Sequence, residues 1–137
     1  MASQMQSAPE RNWKFRIGVV LSALVILFLV MDFVMKLLAL PVVIETSEPL
    51  GWTGGAPMAR TLGVILAVCT ALYAWPRTAI LGAILLTGYL GGAIATHVRV
   101  GDPLFSHDLF GVYIGVLLWA GVYLRDARLR ALIPLRN

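Results

Sequence analysis

The sequence predicts an all-α protein, an integral membrane four-helix bundle with both termini on the cytoplasmic side. Three observations predict it. First, 59% of the residues are hydrophobic and 13% are charged, where an ordinary globular domain carries about 25% charged residues. A soluble fold of that composition would leave much apolar area facing water, so the predicted solvent is lipid. Second, the apolar residues fall into four blocks, each near the roughly 17 to 25 helical residues that cross about 30 Å of hydrocarbon. Third, Lys and Arg collect at one end of those blocks. At 137 residues the chain is a single membrane domain by length.

The first span covers about 17–42 and is interrupted only by Asp32 and Lys36. It follows a polar tail, is too long for a cleavable leader, and has no small-residue cleavage site before Pro41. "LPVVIETSEPLGWTGGAP" comes next, and its three prolines and three glycines predict an external loop. The second span covers 59–75. "WPR" makes a tight turn, where Pro76 suits a helix start better than an interior. The third span covers 78–98 and the fourth 108–124. Between them, "RVGDPLFSH" reads as a short turn capped by Asp102 ahead of Pro103. The closing "LRDARLRALIPLRN" alternates Arg with Leu and Ile, which predicts an amphipathic tail over 125–137 along the inner membrane surface, stopped by Pro134.

Orientation follows from the short connections. Arg11, Lys14, Arg16, Arg77, Arg125, Arg128, Arg130 and Arg136 stand on one side, and only Arg60 and Arg99 on the other, beside Glu45, Glu48, Asp102 and Asp108. Eight against two predicts cytoplasmic termini and a multi-pass protein of a bacterial-type inner membrane. The net charge of +4 flanks the apolar blocks and forms no stripe interleaved with aromatics. Membrane lipids are therefore the expected partner, and nucleic acid is not. The tyrosines Tyr73, Tyr89, Tyr113 and Tyr123 and the tryptophans mostly sit at block ends, as interface anchors do.

Gly88 and Gly92 in the third span, and Gly111 and Gly115 in the fourth, are each four apart. Small residues at that spacing let helix backbones approach closely in lipid. They predict a tight hairpin of these two spans. The rival reading sets one glycine face against a second copy of the chain.

Asp32 and Lys36, four residues apart, project from one face of the first span in the favourable acid-then-base order. Each charge costs about 2.5 to 3.5 kcal/mol near mid-membrane and less toward the ends. Asp32 falls past the middle and Lys36 near the outer interface, where it snorkels. Three readings stay open: a structural ion pair, a polar cavity for a headgroup, proton or ligand, and exclusion of the segment from lipid. Arg60, His97, Arg99, His107 and Asp108 reach the same outer level, so all seven are ligand-binding candidates. If the third span stays helical through Arg99, that residue lies over the Gly88/Gly92 face while His97 points away.

No metal is predicted. Two His with Asp102 and Asp108 offer suitable atoms, yet the ten-residue gap from His97 to His107 fits no helical ligand pair. The single cysteine, Cys69, excludes an intrachain disulfide and a CxxC pair. Nucleophilic triads, phosphate loops and paired catalytic carboxylates are absent, so the residues point away from an independent enzyme.

"LLTGYLGGAIATHVR" and "GVLLWAGVYLRD" resemble the DoxX-like family of small four-span membrane proteins, and the likeness extends over about 17–133. The resemblance implies a four-helix membrane bundle. The wider family is named for subunits linked to quinone-dependent thiosulfate oxidation. Some relatives are associated with redox-stress complexes, and others are chaperone-like partners. It therefore implies an accessory subunit, or a lipid- or quinone-binding protein. A membrane subunit of a quinone-linked oxidoreductase is the alternative, and an oligomeric small-solute carrier a second one. No cofactor motif is evident, and a quinone is the cofactor the resemblance allows. A homodimer or a membrane or redox partner subunit is the expected protein partner. His97 and Arg99 fall in the family's "THVR" segment as candidates for a polar site.

Overall fold

The computed structural model describes residues 8–133, the side chains of 8–11 and of Asp108 excepted. Among them the chain forms α1 (Ala8–Leu37), α2 (Pro41–Ser47), α3 (Gly55–Ala74), α4 (Ala79–Val100), a π-helical turn (Leu104–Asp108), α5 (Phe110–Arg125) and α6 (Ala127–Leu132). Four segments are long and apolar enough to cross a membrane: Asn12–Leu37, Gly55–Ala74, Ala79–Val100 and Leu104–Arg125. The corresponding helices run in alternating directions. Each packs on the next, and α5 closes the ring against α1.

The inward residues explain the bundle. They recur at alternating steps of three and four: Ser22, Val25 and Leu29 on α1; Ala59, Gly63, Leu66, Thr70 and Tyr73 on α3; Ala79, Ala83 and Leu86 on α4; Gly111, Ile114, Leu118 and Gly121 on α5. That period keeps one narrow seam facing the neighbours along the whole length of each helix. Large apolar side chains off the seam, such as Leu27 and Val116, face outward, where lipid solvates them.

Glycine marks the closest approaches. A Cβ on Gly18 would lie 2.8 Å from the Gly121 carbonyl oxygen, and one on Gly63 3.0 Å from the Leu37 nitrogen. On Gly82 it would strike the Tyr73 backbone, and on Gly111 it would lie 2.8 Å from Cγ1 of Ile94. The expected hairpin of α4 and α5 is thus corrected in its contacts. Gly111 packs into α4 and Gly115 only brushes Leu90, at 3.9 Å. Gly88 and Gly92 have nothing within 4 Å. They lie off the seam set by Ala79, Ala83 and Leu86, and so face out of the bundle.

The connections carry more structure than their composition suggests. α1 stops at Leu37 rather than near 42, because Ala39 turns left-handed at φ 49°. Its N–H bonds to Lys36 O at 3.0 Å, and Leu40 N–H bonds to Met35 O at 3.2 Å, the paired closure of a Schellman cap. Pro41 then opens α2 inside what reads as plain loop, since proline suits a first helical turn. α4 ends in the same cap built on Gly101, with φ 77°. In the tail, Asp126 accepts from the N–H groups of Arg128 and Leu129 at the start of α6. Leu129 of α6 is buried in the core cluster. Pro134 and Arg136 lie outside the described residues.

Candidate functional site

The inward steps of α1, Ser22 to Val25 to Leu29, continue to Asp32 and Lys36. The ion pair therefore sits on the packing seam, near the end of the bundle that carries α2 and the π-turn. Lys36 Nζ donates to Asp32 Oδ1. Their side chains are 18% and 27% exposed, so neither is fully desolvated. Gly63 of α3 makes the room: a Cβ there would stand 3.0 Å from Cβ of Lys36.

The other candidates separate into distinct ties. Arg60, exposed on α3, donates from Nε to Leu37 O at 3.4 Å, a carbonyl left free at the end of α1. Arg99 donates from Nη2 to Leu50 O at 2.5 Å, fastening α4 to the α2–α3 connection. α4 stays helical through Val100, so His97 points elsewhere. Its Nδ1 lies 2.5 Å from Asp102 Oδ2, and its ring faces that of His107, centroids 5.8 Å apart. His107 Nδ1 is 2.7 Å from Ser106 Oγ. The side chain of Asp108 lies outside the described residues.

Among the described residues, no hydrogen bond or ion pair joins Asp32 and Lys36 to the histidines. Nor do three His, Cys, Asp or Glu side chains group to hold a metal. The structure thus unites Asp32 with Lys36, and His97 with His107, but leaves Arg60 and Arg99 on ties of their own. Each tie fastens one piece of the loop end to another. Depressions of about 330 and 360 Å³ open at the opposite end, one between α5 and α6 and one beside the start of α1.

Three polar features escape a reading of the sequence alone. Asp102 reads as a turn cap but binds His97. Tyr73 reads as an interface anchor but is fully buried: its hydroxyl donates to Leu118 O at 2.8 Å and meets Ser22 Oγ at 3.1 Å. The Arg125 guanidinium lies 5.4 Å above the Tyr73 ring. The step of seven residues from Leu66 to Tyr73 was the available signal for the second. A model of the DoxX-like family matches residues 20–121. No curated protein and no solved structure matches the chain.

Proposed function

The chain belongs to the DoxX-like family, and from that premise we propose that it is a non-catalytic subunit that works by packing α4 against a transmembrane helix, in the simplest case α4 of a second copy. One observation carries this reading. Where glycines of this bundle meet another helix closely, as at Gly18, Gly63, Gly82, Gly111 and Gly121, a Cβ would stand 3.0 Å or less from an atom of that helix. Gly88, Gly91 and Gly92 break that pattern together, on one outward face of one helix, with nothing within 4 Å. Ala95 extends the face by one turn. Glycine in a helix costs about 1 kcal/mol relative to alanine, and facing lipid alone it returns nothing. A close helix–helix contact would return it. The Lys and Arg bias supports a cytoplasmic position for the end that carries both termini.

Single-molecule photobleaching of labelled protein in bilayers tests the reading. Two-step bleaching in the wild type should fall to single steps in Gly92→Leu. Single steps in both would reject self-association, and the docking reading would then need a different helix as partner. A second reading, a lipid or quinone held near Asp32 and Lys36, is favoured by the partial exposure of that pair. Native mass spectrometry separates it: a retained small molecule should be lost in both Asp32→Asn and Lys36→Met.

A further inference from the structure

The geometry points to a second site at the opposite end of the bundle: the cleft between the start of α1, the end of α5 and α6 binds a phosphate group, as carried by the headgroup of an anionic phospholipid. The cleft measures about 360 Å³ and is lined by Asn12, Phe15, Leu124, Arg125, Ala127 and Arg130. Compact ligand sites begin at about 300 Å³. Two guanidiniums and an amide supply donors, while Phe15 and Leu124 supply an apolar side of the kind an acyl chain lies against. Guanidinium forks match phosphate oxygens in geometry as well as in charge.

Both arginines are held in place without using all their donors. Arg130 Nη1 donates to Tyr123 O at 2.9 Å and Leu124 O at 2.7 Å. That pins the side chain and leaves Nη2 and Nε for another acceptor. Arg125 makes one long bond from Nη2 to Tyr73 O, 3.5 Å, beneath its stacking on the Tyr73 ring. Among the described side chains, the carboxylate of Asp126 beside the cleft is already engaged within α6. It accepts from Arg128 N and Leu129 N and pairs with Arg128 Nε at 3.6 Å. Lys14, Arg16, Arg77 and Arg128 add positive charge at the same end of the bundle, which also lies at the polar boundary of the spans. A lipid phosphate at that boundary meets the cleft without leaving its own layer.

Native mass spectrometry of the full chain in detergent tests the site, with phosphatidylglycerol, phosphatidylcholine and inorganic phosphate as probes. Phosphatidylglycerol should be retained at least tenfold better than phosphatidylcholine. Asn12→Asp, an exposed position, should lower that retention about tenfold without moving the melting temperature. Arg125→Gln should lower it as well, and Arg125→Lys less so, because lysine keeps the charge and loses the fork. Inorganic phosphate that displaces the lipid at millimolar concentration, and binds alone, would keep the phosphate site and assign it to a soluble anion. Equal retention of the two lipids, or retention unchanged by Asn12→Asp, would overturn the proposal.

Discussion

Ala39 shows how much one residue decides. It is the only non-glycine residue with positive φ among the described residues, and it occupies the cap position that glycine fills at Gly101. A left-handed conformation costs a residue with a Cβ about 1 kcal/mol. Ala39→Gly should therefore raise stability by about 0.5 to 1 kcal/mol, read from thermal melting in detergent, with the end of α1 unchanged. Tyr73 is the converse case, a fully buried polar group with two partners. Tyr73→Phe should cost about 1 kcal/mol, because it strands the Ser22 hydroxyl beside Gly121. Neither residue stood out in the sequence. Ala39 is an ordinary alanine until the Pro41 boundary is placed, and a tyrosine near a block end reads equally well as an interface anchor or as a seam residue. Asp32 and Lys36 were legible as a pair from their spacing. Their place on the seam was not, because it depends on the phase of α1 against α3.

At the scale of elements, the spans were legible because lipid leaves a chain so few choices: every backbone group must be bonded within its own helix. The short helices were not. α2 has seven residues and α6 has six, below the length at which apolar periodicity carries information; α2 opens on Pro41 with no side-chain cap, and α6 opens on the cap made by Asp126. Asp126 holds α6. Desolvation pushes its carboxyl upward, but the N–H groups of Arg128 and Leu129 and the Arg128 charge outweigh it, so its pKa lies below the ordinary 3.8. A carboxyl lowered in the folded state contributes stability that is fully present above pH 3.8 and lost as pH falls through its folded value. Helicity should accordingly fall in that acid window in the wild type and stay flat in Asp126→Asn, which keeps the cap oxygen without the titration. Asp126→Ala should cost about 1 kcal/mol at neutral pH. A wild type without that acid step, measured by circular dichroism, would remove Asp126 from the role.

For the whole molecule, two faces of glycine have opposite consequences. Gly63 lies where α1 and α3 touch, so Gly63→Leu should prevent correct packing of the bundle. Gly92→Leu meets open space and should leave the monomer as stable or more so, while removing any partner that packs there. The two GxxxG spacings were legible in the sequence, but their direction was not. A four-residue repeat says that two glycines share a face and leaves open which face the helix turns inward. That is decided by the larger seam residues, Ala83 and Leu86 on α4 and Ile114 and Leu118 on α5.

The measurement that tests the central claim most directly is oxidative cross-linking in native membranes of single cysteines placed at Gly88, Gly92 and Ala95, with Val116→Cys on the outward face of α5 as control. Cys69 is buried and should stay silent. The α4 positions should give dimer adducts and Val116→Cys should not. Adducts absent from α4, or equally strong at Val116→Cys, would contradict a docking face on α4 that joins two copies.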